Sequence, residues 1–483
     1  MKICIVAEGS YPYVTGGVSS WIHDVISSMP RHEFVIFAIG AEERNRGRFT
    51  YRLPANVSEV REVFLDAFLQ EEGRWGRRFE LSGEERDALQ GLIVGERDTD
   101  WEALFRLLRG GRWNASTEFL MSQDYFDLLS DVARQRYEQL PFRELFWTVR
   151  SMLLPLMQLL RHPLPEADLY HAVSTGYAGV IASLGKHLYG RPMLLTEHGI
   201  YSREREEEII KADWVKGYFK DLWIRYFYGL ARCAYQYADQ VVTLFNRNRE
   251  IEIELGCPAS KIAIIPNGIK ADAYADLPRK TADDPAVHIG AIVRVVPIKD
   301  IKTMIQSFAA VKREVPEATF TIMGPYDEDP DYYRECVELA ETLDVRDLTF
   351  TGSVDVKARI GKLDVVVLTS ISEGQPLAVL EAMAAAKPVV ATDVGSCREL
   401  LYGSAADGVE GRAGLVVPVL DDKEIARAII TLCKSESLRR EMGENGRRRV
   451  LSAYTHDQFI SRYESLYASL GKGEKTWRES AFN

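Results

Sequence analysis

Short apolar runs rich in Val and Ile, each followed by a longer amphipathic stretch, recur along most of the chain. Continuous apolar runs suit strands covered on both faces, and the alternation is that of a parallel sheet wrapped by helices. In the first half it predicts strands at 2–7, 33–39, 169–173, 193–196, 240–244 and 262–266, the last ending in the turn Pro266-Asn267-Gly268. After Ala286 the series starts again, with strands expected at 288–294, 319–323, 349–352, 365–369, 389–392 and 414–417. Two series predict two doubly wound α/β domains, joined near 271–285, a stretch rich in Asp, Lys and Pro. The 483 residues leave room for two or three cores. In this architecture ligands sit beyond the carboxyl ends of the strands. Two such domains are expected to face a central cleft.

The expected domains are 1–275 and 276–456, with a last helix at 457–470 and a frayed tail beyond Gly471; the 457–483 segment is expected to pack back on the first domain. Residues 42–165 break the alternation. Helical patterns with charged faces and tryptophans, as at 101–108 and 142–154, predict a helical insertion in the first domain. It serves either as extra packing or as a surface for an acceptor or partner.

Composition narrows the function. Apolar residues at 46% and charged residues at 27% are ordinary globular values and exclude a disordered chain. A net charge of −11 speaks against a general nucleic-acid binder, which needs clustered positive charge, but leaves room for a small basic pocket. The six cysteines are scattered without a Cys-x-x-Cys pair, so neither a disulfide framework nor a zinc site is read, and a reducing compartment fits. The first apolar run is too short for a signal peptide and is expected to be a buried strand. The stretch 151–160 holds Pro155, is flanked by Arg150 and Arg161, and is too short to span a bilayer.

Four strand-end segments carry candidate chemistry. Glu373-Gly374-Gln375-Pro376-Leu377 follows the expected strand 365–369 and opens a run of helix formers. The amides of residues 374–377 are expected to point out of a helix N-terminus, where the macrodipole favours an anion. Glu373 and Glu381 lie eight residues apart and, if helical, share one face, one carboxylate for a sugar hydroxyl and one for a ribose. The plain alternative is a capping Glu373 and a surface ion pair at Glu381. Arg294 closes the first strand of the second domain and Lys299 follows in the loop or first helical turn, where a guanidinium and an ammonium can neutralise a departing diphosphate; solvated charges are the alternative. Gly16 and Gly17, in the loop after the first strand, let backbone approach a phosphate or sugar, or simply make a tight turn. The loop is neither a Walker loop nor a Gly-x-Gly-x-x-Gly fingerprint, which removes the main support for an ATPase or a dinucleotide enzyme. His198, in Thr196-Glu197-His198-Gly199, is either a ligand contact or a hydrogen-bonded structural residue, with His171 expected at the same edge. The charged run 203–208 is expected to be a solvated, mobile loop.

Together these residues resemble a known family. Glu373 and Glu381, with seven residues between, resemble the E-x7-E element of the retaining GT-B glycosyltransferases of family four. Gly16-Gly17, His198, Pro266-Asn267-Gly268 and the Arg294/Lys299 pair stand where that family's motifs would place them. The segments from Glu8 through Tyr13 to Trp21 and from Thr196 to Tyr201, with the helical insertion, resemble the subgroup that serves bacterial Pel exopolysaccharide synthesis. The resemblance implies the GT-B fold of two Rossmann-like domains. It also implies a UDP-sugar donor such as UDP-glucose or a UDP-N-acetylhexosamine, a growing glycan as acceptor, and retention at the anomeric carbon through a front-face attack. A cytoplasmic enzyme working beside inner-membrane proteins is expected. Leaving-group stabilisation falls to Arg294, Lys299, the backbone of Gly374, Gln375, Pro376 and Leu377, in which all but the proline have an N–H to donate, and Gly16-Gly17; Glu381 would hold the ribose, while Glu373 and His198 meet the donor sugar. Gln375 departs from the aromatic or aliphatic residue of many members, which leaves the sugar preference open. No Asp-x-Asp motif lies convincingly at a strand end, so neither a metal nor another cofactor is expected. A nucleotide-sugar epimerase or a glycan phosphorylase could use the same fold. A catalytically silent scaffold is the other rival, although it would have no need of Glu373, Lys299 and Arg294.

Overall fold

The computed structural model describes residues 1–66, 76–281, 283–403 and 407–473. The chain divides into two compact units. The first comprises Met1–Thr243, Asn248–Ile264 and the chain from Tyr463 on; the second comprises Leu244–Arg247 and Ile265–Arg462. Each is a parallel α/β domain.

The first unit is built on strands β1 (Lys2–Glu8), β2 (Glu33–Gly40), β3 (Val57–Phe64), β4 (Leu169–Ala172), β5 (Met193–Glu197), β6 (Gln240–Thr243) and β7 (Ile262–Ile264). They form a seven-stranded parallel sheet in the order β3-β2-β1-β4-β5-β6-β7. The order reverses between β1 and β4, whose register pairs Ile3 with Leu169 and Val6 with Ala172. A crevice forms at such a reversal because the connections leave β1 and β4 toward opposite faces.

Strand β3 was not expected, since 42–165 reads as helical. Its sequence, Val-Ser-Glu-Val-Arg-Glu-Val-Phe, is charged and mostly half-buried because it is the edge of the sheet. The helical segment therefore begins later, at the helix Gly83–Val94, and continues through Trp101–Arg109, Ser116–Leu120, Gln123–Arg136 and Phe142–Arg161. Ser82 starts it with a capping box, accepting from the Glu85 amide while the Glu85 carboxylate accepts from the Ser82 amide. Trp101, Leu104, Tyr125 and Leu153 of this segment share one hydrophobic core with Cys4, Val6 and Phe37 of the sheet. The segment thus belongs to the body of the unit. A second correction concerns 203–208, which lies within the helix Tyr201–Lys211 rather than in a loop. Residues 67–75 of the expected insertion and 474–483 of the expected terminal segment lie outside the described residues.

The second unit carries β8 (Val287–Ile292), β9 (Ala318–Met323), β10 (Leu348–Phe350), β11 (Val365–Leu368), β12 (Val389–Thr392) and β13 (Gly414–Val417), in the parallel order β10-β9-β8-β11-β12-β13. Here the reversal falls between β8 and β11, joined through Val365 opposite Ile289 and Val366 opposite Gly290. All four residues of β11 and of β12 are buried, the signature of central strands covered by helices on both sides. The chain's six cysteines are buried and unpaired. No described helix is long and apolar enough to cross a membrane.

Candidate active site

In the second unit, the neighbouring β8 and β11 deliver their following loops to one place. After β8 the chain passes Arg294 and forms a turn at Pro297–Lys299, and Asp300 adopts a left-handed conformation (φ 48°). The carboxylate of Asp300 then caps the helix Ile301–Glu314. Thr369, just past β11, donates its hydroxyl to the carbonyls of Lys299 (2.9 Å) and Asp300 (3.0 Å), and the Ile371 amide donates to the Ile298 carbonyl (2.9 Å). The two loops are stitched together. As a result the Lys299 ammonium reaches the Glu373 Oε1 at 2.5 Å, and the same oxygen accepts from the Ser370 hydroxyl at 2.5 Å. The two charged side chains are 17% and 11% exposed, so both can still be reached.

The loop around Glu373 is pressed from behind by the turn after β12. Gly395 has φ +51°, and a Cβ there would lie 2.1 Å from the Gly374 carbonyl oxygen. Only glycine allows that approach. The Ser396 amide donates to the same carbonyl (3.0 Å). The helix that follows spans Leu377–Ala384, with Pro376 at its cap position. Its first amides have no acceptor within the helix and are available to an anion. Gln375 is buried, and its side-chain oxygen accepts from the Asn267 amide at 2.6 Å, tying the Pro266-Asn267-Gly268 turn to this loop.

Two sequence expectations change. The helix opens at Leu377, so Glu373 sits in the loop before it, as the sequence predicts, but the two glutamates have separate partners rather than a common helical face. Glu381 is directed to Tyr274. Burial raises its carboxyl pKa, while hydrogen bonding from Tyr274 and the charge of Lys357 lower it. Arg294 pairs with Glu328 rather than standing as a free cation. Its guanidinium is half exposed and held by Glu328 at 2.5 and 2.6 Å. The spacing of Arg294 and Lys299 in sequence could not show that a third loop supplies a competing carboxylate.

In the first unit, Gly16 caps the helix Gly17–Ser28, and a Cβ at Gly16 or Gly17 would meet nothing within 4 Å, so this turn faces open space. The helix carries Trp21 edge-on to His198, with ring centroids 4.7 Å apart. His198 Nε2 is buried with no hydrogen-bond partner among the described residues, and burial lowers the imidazole pKa to about 4. The ring is neutral at pH 7 and has an unused ring nitrogen.

The strand ends beside His198 carry a hydrogen-bond network that sequence reasoning missed. Glu197, at the end of β5, accepts from the Thr175 hydroxyl (3.0 Å), the Tyr235 hydroxyl (2.7 Å) and the Tyr201 amide (3.2 Å). Glu8, at the end of β1, accepts from the Tyr201 hydroxyl (2.7 Å) and the Ala178 amide (3.1 Å). Burial raises the pKa of both carboxyls. Acidic residues ending two buried strands were the available signal.

His171 differs from its expectation at the strand edge. It is fully buried, with Nδ1 at 2.8 Å from the Tyr467 hydroxyl and Nε2 at 2.8 Å from the Thr196 hydroxyl, and burial lowers its pKa to about 3. It is a core residue that fixes the last helix, His456–Gly471, to this unit.

Comparison with known proteins accords with this architecture. Residues 1–260, more than half of the chain, match a family model described as "Domain of unknown function (DUF3492)". Residues 286–435 match "Glycosyl transferases group 1". An N-acetyl-alpha-D-glucosaminyl L-malate synthase of Bacillus anthracis is 29% identical over 191 residues, 39% of this chain and 46% of that protein. An MMP alpha-(1->4)-mannosyltransferase of Mycolicibacterium hassiacum is 24% identical over 289 residues, 58% of this chain and 65% of that protein. The chain thus spans about half the length of the curated relatives it matches. Among solved structures, Anabaena Alr3699/HepE in complex with UDP aligns with a TM-score of 0.60 at 16% identity, over 97% of this chain and 100% of that one. The sucrose-phosphate synthase tll1590 from Thermosynechococcus elongatus aligns with a TM-score of 0.60 at 14% identity, over 98% and 99%. These likenesses show the fold, that of the GT-B glycosyltransferases. The chain belongs to the DUF3492 family and joins that family's domain to a glycosyl transferases group 1 domain.

Proposed function

We propose that this protein transfers a sugar from a UDP-sugar to a growing polysaccharide with retention at the anomeric carbon, and that the polysaccharide is the Pel exopolysaccharide whose synthesis enzymes its sequence resembles. One observation carries the reading: the Lys299–Glu373 pair at the β8/β11 reversal, beside the opening of the helix Leu377–Ala384. Departure of UDP from the sugar leaves negative charge on its phosphates. Lys299 neutralises it, and the Gly374 and Leu377 amides add fixed dipoles that need no reorganisation at the moment of bond breaking. Arg294 joins them by exchanging Glu328 for phosphate. Glu373, freed from Lys299, orients the donor sugar through its hydroxyls. Glu381 holds the ribose through its carboxylate oxygens, which can accept from a hydroxyl pair. His198, neutral and with Nε2 unused, takes the donor-sugar contact assigned to the first unit, and the uncrowded backbone of Gly16-Gly17 is suited to a phosphate.

Two cationic side chains and helix dipoles suffice for a diphosphate, so the reaction proceeds without a metal. HepE, a neighbour in fold, is described in complex with UDP-glucose, which supports a uridine donor. We place the enzyme in the cytoplasm, recruited to the inner face of the membrane by proteins of the same synthesis machinery. Isothermal titration of UDP against the wild type and Lys299→Ala tests the reading. Micromolar binding that weakens at least tenfold in the variant supports it; equal affinity in both, or an epimer formed from the UDP-sugar alone, refutes it.

A further inference from the structure

The first unit has a second concave surface, formed by the helix Phe142–Arg161 of the helical segment and the stretch 214–223 that leads into the helix Gly217–Tyr237. The groove holds about 400 Å³, within the range of about 300–1,000 Å³ typical of small-molecule sites. Three tryptophans line it. Trp147 is 45% exposed and Trp214 is 71% exposed, while Trp223 stands behind Trp214 at 5.6 Å with its ring nearly perpendicular. Glu144 also lines the groove, accepting from the Lys216 ammonium at 2.6 Å and from the Tyr218 hydroxyl. Thr148 and Ser151 of the same helix also line it. Trp147 departs from the amphipathic pattern of its helix, whose other large apolar residues, such as Phe146, Val149 and Leu153, are buried.

We infer that this groove binds a pyranose glycan, holding part of the acceptor chain at a site separate from the Lys299–Glu373 centre. The inference rests on the transferase reading and adds a glycan-holding site to it. A pyranose ring has C–H groups on its flat faces and hydroxyls around its rim. The electron-rich face of Trp214 suits the polarised C–H groups, with Trp147, whose ring already carries the Arg150 guanidinium at 5.3 Å, also lining the groove, and the Glu144 carboxylate and Lys216 ammonium suit adjacent hydroxyls. The same arrangement disfavours other occupants. The core of a protein interface is depleted of charged groups, whereas here an ion pair lies among the aromatics. An anionic lipid surface attracts clustered cations, whereas the lining cations of this groove, Arg143 and Lys216, are interspersed with Glu144, which pairs with Lys216 at 2.6 Å.

The test uses the full chain, with chitohexaose and maltohexaose as probes. Tryptophan fluorescence and saturation-transfer NMR read glycan binding, and calorimetry with UDP reads the donor site separately. The expected result is binding of at least one hexamer, weakened at least tenfold by Trp214→Ala and by Trp147→Ala and largely kept by Trp214→Phe, with UDP affinity unchanged throughout. If neither hexamer binds while UDP does, the groove inference fails and the transferase reading stands. If a hexamer binds but UDP does not, the transferase reading fails. Loss of vesicle binding (phosphatidylglycerol and phosphatidylethanolamine) or of self-association in Trp214→Ala, with no hexamer bound by wild type, assigns the groove to a membrane or to a second copy and overturns the proposal.

Discussion

Arg449 and Asp407 of the second unit are 0% and 2% exposed and 3.0 Å apart. The guanidinium also donates to the carbonyls of Leu400, Leu401, Val409 and Gly411, so all five of its N–H groups are engaged. Lys299 and Glu373 form an ion pair in the same unit with a different character. They remain partly exposed, and two of the three ammonium donors have no acceptor among the described residues. A pair whose hydrogen bonds are complete holds structure, while one with unused capacity can change partners. The same chemistry is assigned to folding in one place and to ligand binding in the other by how fully it is satisfied.

The largest effect is expected at the saturated pair. Arg449→Ala leaves Asp407 buried without its cation and is expected to cost about 3–5 kcal/mol of stability, read from urea unfolding. A loss near zero would erase the distinction drawn here. At the open pair, Lys299→Ala is expected to lower sugar transfer by about 10²–10³-fold, the usual loss when a charge-stabilising donor is removed, with unfolding changed by no more than about 0.5 kcal/mol. Glu373→Ala is expected to behave in the same way, and near-normal turnover in either variant refutes the assignment. A smaller effect, a loss of about tenfold or about 1.4 kcal/mol in UDP affinity, is expected for Glu381→Ala by calorimetry. Unchanged affinity removes its ribose role.

Glu252 extends the contrast to the first unit and to pH. It is fully buried, and burial first, then the charge of Glu197, raises its pKa above the ordinary 4.5. The folded state therefore binds a proton that the unfolded state releases near 4.5. This contribution is complete below that value and is lost as pH rises through the raised folded pKa, with a slope of at most about 1.4 kcal/mol per pH unit. Stability is expected to decline across this alkaline side, and Glu252→Gln is expected to flatten the decline. An identical pH profile for the variant removes Glu252 as its cause.

Sequence reading located β11 and β12 well because central parallel strands are apolar throughout, a signal that needs no partner to interpret. It missed β3, whose Glu59, Arg61 and Glu62 are tolerated only because an edge strand lacks a neighbour on one side. The helix Tyr201–Lys211 was hidden by a charged run in which only Ser202 and Ile209 are buried. The site was legible residue by residue, since Lys299 and Glu373 each follow a strand. Their pairing was not, because they are 74 residues apart and meet only through the β8/β11 neighbourhood. For the same reason the tie from Gln375 to Asn267 and the capture of Arg294 by Glu328 could not be read from local pattern.

The attachment of Tyr463 and Tyr467 to Thr196 and His171 has a consequence for synthesis. The first unit is interrupted by the second and receives the Tyr463 and Tyr467 hydroxyls only when residue 467 has been translated. On the ribosome, the later-encoded unit is therefore complete in sequence before the earlier one can close. A nascent chain stalled after Ile264 would hold the His171 imidazole and the Thr196 hydroxyl without their tyrosine partners, a form suited to chaperone capture.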